Sequence, residues 1–179
     1  MLKKLLVGLI AVIAVFLVVA ALRPADFRIS RTATIVAPPA AVFEQINNFQ
    51  KWNAWSPWAK LDPNAKNTFD GPPAGIGAGF AWSGNSEVGA GKMTITESQP
   101  NERVVMRLEF TKPFTATNIA EFTLKPEGNQ TTTTWSMSGK HNFMGKCMSL
   151  IMNMDKMVGG QFELGFANLK AIVEPAAKG

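Results

Sequence analysis

The pattern of hydrophobic and polar positions divides the chain into an apolar N-terminal run, a middle of alternating strands and a helical C-terminal part. The longest helical pattern covers residues 157–174, where apolar side chains recur every three or four residues and form one stripe. This stripe consists of Phe162, Phe166, Leu169, Ile172 and Val173. Gly165 falls on the same face, and its missing side chain predicts space for whatever lies opposite. We therefore predict a long terminal helix that covers the strands.

A second apolar stripe precedes this helix and is rich in methionine. Its members are Met144, Met148, Ile151 and Met152. Gly159 and Gly160 lie between the two stripes, and glycine is a poor helix former, so the pair predicts a break or bend.

The middle of the chain alternates between apolar and polar residues, which is typical of half-buried strands. The first strand is predicted over residues 27–37, and Pro38-Pro39 ends it at the first turn of a short helix. A meander of antiparallel strands follows, with turn signals about every ten residues. Arg31 shares the apolar parity of the first strand. We interpret it as an arginine near a strand end that reaches solvent, with a polar group inside a cavity as the alternative.

Three of the five tryptophans lie within residues 52–58. One interpretation is a second short helix whose indoles plug one end of the core, with Pro57 ending it. The other is an aromatic rim around the mouth of a ligand site, and the two are compatible.

Residues 5–22 form an apolar run without charge or proline that is long enough to cross a bilayer as a helix. We predict a transmembrane anchor over residues 1–23 and a single domain over residues 24–179. The alternative is a cleaved signal peptide and a secreted or periplasmic domain, because residues 18–20 resemble a cleavage site. Lys3 and Lys4 favour a cytoplasmic N-terminus, which places the domain on the outer side.

Charge argues against a nucleic-acid partner. The chain carries a formal charge of +5, from 18 basic and 13 acidic residues. Lys3, Lys4 and Arg23 flank the apolar run, so the domain itself has 18 − 3 = 15 basic residues against 13 acidic ones. It lacks a basic run interleaved with aromatics. Cys147 is the only cysteine, which excludes an internal disulfide and a cysteine-rich metal site.

The sequence supplies few catalytic parts. His141 is the only histidine, so a multi-histidine metal site within one chain is excluded, and we expect it to be a capping or exposed residue. Glu109 and Glu121 are predicted to face solvent. Glu97 shares parity with inward-facing residues, which allows one buried carboxylate near a pocket. We predict no catalytic residue, no metal and no cofactor; the glycines of residues 75–79 lack the lysine of a nucleotide-binding loop.

What the sequence does supply is a set of inward-facing apolar side chains that can line a cavity. They are Trp82, Met93, Met106, Phe110, Phe122, Trp135, Met137, Met148, Met152 and Phe162. Methionine adapts its shape, which suits a pocket for variable hydrophobic ligands.

The order of elements and three segments resemble one known superfamily. The segments are residues 52–58, residues 69–85 and residues 155–169. Over residues 28–174 the chain resembles the SRPBCC superfamily of START-like, helix-grip domains, and most closely its polyketide cyclase/dehydrase-like branch. The resemblance implies an α+β fold in which a curved antiparallel sheet wraps round a long C-terminal helix. It also implies a deep apolar cavity between sheet and helix. A membrane anchor is absent from most members, and no cyclase catalytic motif matches.

These observations lead to three hypotheses. We favour a membrane-anchored START-like domain that binds a hydrophobic small molecule or lipid without bond-making chemistry. The first alternative is a cyclase or dehydratase acting on a polyketide-like substrate. The second is an interaction module with a filled core, which cavity volume would distinguish. The oligomeric state and the ligand's identity are left open.

Overall fold

The computed structural model describes residues 1–174, which form one α+β fold after an N-terminal helix. The helices are α1 (Leu2–Leu22), α2 (Pro39–Ile46), α3 (Phe49–Trp55), α4 (Phe143–Ile151) and α5 (Met154–Val173), with a 3-10 turn at Pro57–Lys60. The strands are β1 (Asp26–Ile35), β2 (Lys66–Asp70), β3 (Gly79–Ser83), β4 (Ala90–Gln99), β5 (Arg103–Lys112), β6 (Ala116–Glu127) and β7 (Gln130–Lys140).

All seven strands belong to one antiparallel sheet with the order β1-β7-β6-β5-β4-β3-β2. Strands β2 to β7 each pair with their neighbour in sequence, as short turns between antiparallel strands require. Strand β1 instead pairs with β7, and Arg31 stands opposite Trp135. The α2 and α3 helices fill the connection between β1 and β2. This confirms the predicted helix-grip architecture.

Helix α5 is the apolar cover of the sheet. Its predicted stripe is buried at Phe162, Phe166, Leu169 and Val173, whereas Ile172 is half-buried. The stripe meets inward-facing strand residues such as Trp135 in one hydrophobic core. The burial of each such side chain stabilises a fold by about 1.5–3 kcal/mol, so this face holds α5 against the sheet.

The predicted break at Gly159 and Gly160 is wrong. Helix α5 runs through both glycines, and the chain breaks earlier, at Met152 and Asn153. The side chain of Asn153 accepts a hydrogen bond from the backbone N–H of Lys156 and so caps the new helix. Glycine is tolerated at position 159 because another side chain crosses the helix there, as described below.

The methionine stripe does not cover the sheet, although Met148 and Met152 were predicted to line a cavity against it. None of the residues of α4 is buried, and α4 packs against α1. Lys146 Nζ donates a hydrogen bond to the carbonyl oxygen of Ala21 at the end of α1, at 3.2 Å. Helix α4 therefore belongs to the α1 side of the domain.

Helix α1 is the one helix among residues 1–174 that is long and apolar enough to span a membrane. Its length and composition would equally suit a signal sequence near the N-terminus. Most of its side chains are exposed, with Ala20 as the single buried residue. Only residues 23–25 separate α1 from β1.

Candidate ligand-binding cavity

An apolar cavity of about 460 Å³ lies between the sheet, the α3 region and the first half of α5. The strands contribute residues of one parity, because successive side chains of a strand point to opposite faces. These are Phe69, Phe80, Trp82, Met93, Leu108, Phe110, Ala120, Trp135 and Met137. The helices and the 3-10 turn close the other side with Phe49, Trp52, Trp58, Val158 and Phe162. A space of this size argues against the hypothesis of a filled core.

One wall of the cavity belongs to a stack of three aromatic rings, of which Trp135 and Phe162 line the cavity. Trp135 lies between Phe122 and Phe162, with ring centroids at 4.6 Å and 4.2 Å and interplanar angles of 29° and 14°. Trp58 meets Trp135 edge-on at 5.7 Å. Such pairs contribute about 0.5–1.5 kcal/mol each beyond their buried area, which makes this wall rigid.

The indole N–H groups differ in whether they already have an acceptor. Those of Trp52, Trp55 and Trp82 donate to the backbone carbonyls of residues 46, 45 and 88. Within residues 1–174, those of Trp58 and Trp135 have no hydrogen-bond acceptor, and both residues line the cavity. Most of the lining is apolar, and Asn53, Ser56 and Asn67 add polar side chains to these two indole donors.

The charged side chains of the lining are those of Lys60 and Glu87, which are exposed, and Asp62, which is half-buried; we call this solvent-facing part the mouth of the cavity. Asp62 is engaged structurally, since its carboxylate accepts hydrogen bonds from the backbone N–H groups of Asn64 and Asn85. Among the lining residues there is no histidine, cysteine or tyrosine. Across residues 1–174, no group of three or more His, Cys, Asp or Glu side chains could hold a metal ion. The lining therefore suits the binding of an apolar molecule better than acid–base chemistry.

Ten residues were predicted from the sequence to line the cavity, and the structure brings six of them together. They are Trp82, Met93, Phe110, Trp135, Met137 and Phe162. Whether these residues bind a ligand stays a prediction.

The other four predicted lining residues lie elsewhere. Met106 and Phe122 are fully buried, and Phe122 supports Trp135 from behind the wall. Met148 and Met152 lie in and just after α4, away from the cavity. Strand parity gave the correct face, but it could not tell which inward residues border empty space.

The tryptophan segment combines both interpretations that the sequence allowed. Trp52 and Trp55 are buried and plug the core beside α2, whereas Trp58 faces the cavity from the 3-10 turn. Pro57 begins that turn and α3 ends at Trp55, as predicted. The lining residues that sequence reasoning missed include Phe49, Leu108 and Val158. Leu108 was recognisable, since it alternates with the predicted members Met106 and Phe110.

The space expected opposite Gly165 is absent. A Cβ at Gly165 would stand 2.7 Å from Cζ3 of Trp135 and 3.3 Å from Cδ of Pro57. The glycine therefore permits close packing of α5 on the aromatic wall, and the cavity lies nearer to Val158 and Phe162.

Glu97 is exposed, so the buried carboxylate that its parity allowed does not occur. A bulge between Ile95 and Glu97 shifts the register of β4 against β5 and reverses the facing of later residues. Glu97 instead forms an ion pair with Arg103 at 2.7 Å. Arg103 also pairs with Glu121 at 2.6 Å, and the two carboxylates hold its pKa above the ordinary value, with Glu121 the larger cause.

Arg31 faces α5 from the edge strand, outside the cavity. Its guanidinium forms ion pairs with Asp155 at 3.0 Å and Glu163 at 2.6 Å and keeps about a quarter of its side chain exposed. These carboxylates raise the pKa of Arg31, and Arg31 in turn lowers the pKa of Asp155. Arg31 is thus neither a free solvent-reaching group nor a cavity polar group. It ties α5 to the edge of the sheet.

His141 is half-buried between β7 and α4 and stacks on Phe27, with ring centroids 4.3 Å apart. Burial lowers the pKa of His141. Asn142, not His141, caps α4. The histidine does not line the cavity.

Comparison with known proteins decides the family. The profile of the family described as "Polyketide cyclase / dehydrase and lipid transport" matches residues 26–174. The chain belongs to this family. It is therefore a member of the SRPBCC superfamily, with the helix-grip fold that the sequence predicted. A search of curated proteins found no matching sequence.

Solved structures of this fold are similar in shape and distant in sequence. Protein CV1439 from Chromobacterium violaceum has a TM-score of 0.60 at 16% identity, over 86% of this chain and 99% of that one. The Aha1 dimer from Colwellia psychrerythraea has a TM-score of 0.60 at 17% identity, over 83% of this chain and 96% of that one. Protein MLL2253 from Mesorhizobium loti has a TM-score of 0.60 at 17% identity, over 81% of this chain and 95% of that one. At such identities the likeness shows the fold alone.

Proposed function

We propose that this family member binds a hydrophobic small molecule, a lipid or polyketide-like compound, in the cavity without catalysing a reaction. The observation that carries the proposal is the apolar cavity of about 460 Å³ walled by aromatic rings. Its volume falls within the roughly 300–1,000 Å³ of typical ligand pockets. A ligand with an apolar body and a polar acceptor fits best, because Trp58 and Trp135 line this space and their indole N–H groups donate to no acceptor within residues 1–174.

The absence of an acid–base pair among the lining residues supports binding over catalysis. General acid–base work needs a titratable group within hydrogen-bond reach of the substrate. The charged lining groups Lys60, Asp62 and Glu87 lie toward the mouth, and Asp62 is occupied by backbone donors. The cyclase or dehydratase alternative would have to use these mouth residues.

We also propose that α1 stays attached and anchors the domain in a membrane, with the N-terminus cytoplasmic and the domain on the outer side. Its 21 residues at 1.5 Å rise reach across a hydrocarbon core of about 30 Å. The division into an anchor at residues 1–23 and a domain at residues 24–179 follows from this proposal.

Native mass spectrometry of the full chain in detergent tests the binding proposal by detecting a co-purified lipid or metabolite. A matched pair of variants on α5 locates the site. Val158 lines the cavity, whereas Leu164 on the same helix is 46% exposed and does not. Val158→Phe should reduce the affinity of a fluorescent fatty-acid probe, and Leu164→Phe should not. Equal probe affinity in both variants would contradict the site.

Turnover distinguishes the enzyme alternative. If Lys60, Asp62 or Glu87 performed chemistry, the co-purified compound would change on incubation, by the loss of water in a dehydration or by a shifted chromatographic retention at constant mass in a cyclisation, and one of the variants Lys60→Met, Asp62→Asn or Glu87→Gln would stop the change. On the binding proposal, the compound leaves the cavity with its mass and its retention unchanged.

A further inference from the structure

The end of the sheet that carries the cavity is the end attached to α1. Three residues, 23–25, separate α1 from β1 and span at most about 11 Å. The register places Asp26, the first residue of β1, opposite Lys140, the last residue of β7. The cavity residues Met137 and Phe110 lie within three residues of the ends of β7 and β5. If α1 spans a bilayer, the cavity faces its surface at close range.

Exposed apolar side chains collect at this same end. Helix α4 presents Phe143 (51% exposed), Met144 (52%) and Ile151 (73%), and Met157 follows at 50%. In the turn between β5 and β6, Phe114 is 57% exposed. A cluster of large exposed apolar side chains is typical of an interaction site.

The charges at this end are suited to a lipid surface. Between Gln130 and Met154 the chain has two charged residues, Lys140 and Lys146, and no acidic one. Lys146 reaches the end of α1, which fixes α4 beside the helix that would enter the bilayer. The acidic groups nearby have basic neighbours: Asp26 lies 3.7 Å from Lys140, and Asp155 pairs with Arg31. Glu87 lies at the cavity mouth.

We propose that α4 and the Phe114 turn lie in the headgroup region of the membrane, so that the cavity exchanges its ligand directly with lipid. This inference rests on the proposed anchoring by α1 and on the proposed binding function. Short helices with an apolar face and lysines bind in the interface plane in this way. The occupant of the exposed face is lipid because α4 packs against α1, the membrane-spanning candidate, and has no acidic residue that anionic headgroups would repel.

Spin labels on the full chain reconstituted in phosphatidylcholine/phosphatidylglycerol vesicles test the position of α4. With Cys147→Ser removing the single native cysteine, one variant carries Ile151→Cys in α4. The control carries Asn129→Cys in the exposed turn between β6 and β7, at the opposite end of the sheet. We expect the ratio of collisions with oxygen to collisions with an aqueous nickel chelate to be several-fold higher at residue 151 than at residue 129.

Equal ratios at the two positions would overturn the inference. A label at residue 151 that is shielded from both oxygen and the chelate would also overturn it, since that result indicates a protein partner or a second copy of the chain. The labels report on docking even if no ligand is ever bound. Failure of the binding proposal would be seen separately, as absent probe binding in detergent.

A functional variant tests exchange with the membrane. Ile151→Glu should slow transfer of the fatty-acid probe from vesicles several-fold while its affinity in detergent is unchanged, and Asn129→Glu should do neither. Transfer as fast in Ile151→Glu as in the parent would contradict exchange through this surface.

Discussion

The guanidinium of Arg31 lies directly over Gly159, where a Cβ on the glycine would stand 2.1 Å from Nη2. The arginine comes from the edge strand β1, and the glycine lies in the second turn of α5. The missing side chain lets Arg31 reach Asp155 and Glu163 on either side. This contact gives a steric reason for a glycine at position 159 of the helix.

The first prediction compares those two glycines. Nothing lies within 4 Å of a Cβ placed at Gly160. Gly160→Ala should therefore stabilise the protein by up to about 1 kcal/mol, the difference in helix propensity. Gly159→Ala should gain less or destabilise, because the new methyl displaces the guanidinium from its carboxylates. Thermal unfolding of the full chain in detergent measures both, and equal gains would mean that Arg31 does not cross the helix.

The second prediction concerns acid and the Arg31–Asp155 pair. Hydrogen bonding to Arg31 lowers the pKa of Asp155 in the folded state below its ordinary value of 3.8. The resulting stability is present above that value and is lost as pH falls through the lower, folded-state pKa. Asp155→Asn should therefore lower the melting temperature at pH 7, and the difference from the parent should shrink below about pH 4. A difference that is constant with pH would contradict the pairing.

His141 gives a third prediction in a separate pH window. Burial lowers its pKa in the folded state below the ordinary 6.5, so the unfolded chain binds the proton more readily. Stability should therefore fall as pH drops below about 6.5. His141→Phe keeps an aromatic ring against Phe27, which the histidine stacks on at 4.3 Å, and should remove this part of the pH dependence.

The control for that variant is probe binding. Since His141 does not line the cavity, the affinity of the fatty-acid probe should be the same in the parent and in His141→Phe. A large loss of affinity would reveal a role at the site that the geometry does not show.

Sequence periodicity was sufficient to predict the architecture, because the residues that face the core recur at regular spacings in helices and strands. The helical spacing of Phe162, Phe166 and Leu169 predicted the face of α5, and alternation predicted the inner face of β7 at Trp135 and Met137. Alternation failed at Glu97, where a bulge inserts one residue that no local pattern announces. It also could not separate packed inward residues such as Met106 from those that border the cavity, since both have the same parity.

The glycines show a different limit of prediction from local sequence. Gly159 and Gly160 predicted a break from their intrinsic propensity, but the break occurs where Asn153 can cap a new helix. Gly165 predicted space, whereas the structure fills that space with Trp135. At Gly159 and Gly165 the side chain that occupies the space of the missing Cβ comes from far away in sequence, Arg31 on β1 and Trp135 on β7, so local reasoning could not identify it.

The fourth prediction concerns the anchor. If α1 stays attached, mass spectrometry of the purified protein should find the intact N-terminal residues, and the protein should stay in the membrane through carbonate washing. Recovery of a soluble product that begins near Ala21 would identify α1 as a cleaved signal sequence. Replacing Ile10 and Val15 with lysine offers a direct check, since charges in the centre of a spanning helix cost roughly 2.5–3.5 kcal/mol each and should release the protein from the membrane.

The last prediction separates the cavity from the packed contact at Gly165. A methyl group at this position would meet the ring of Trp135, which is held between Phe122 and Phe162 and cannot easily move. Gly165→Ala should therefore cost about 1–3 kcal/mol of overpacking, reduced by up to about 1 kcal/mol of helix propensity. Gly160→Ala on the same helix is the matched control and should stabilise.

Probe affinity supplies the second readout for Gly165→Ala. Because the cavity lies nearer to Val158, the variant should lose stability while keeping most of its affinity for the fatty-acid probe. Val158→Phe should show the reverse, a loss of affinity with little change in melting temperature. If Gly165→Ala stabilised the protein and abolished probe binding, the empty space would extend to the side of Trp135 that faces Gly165. That side of the ring would then be part of the ligand's binding surface and not a packed contact with α5.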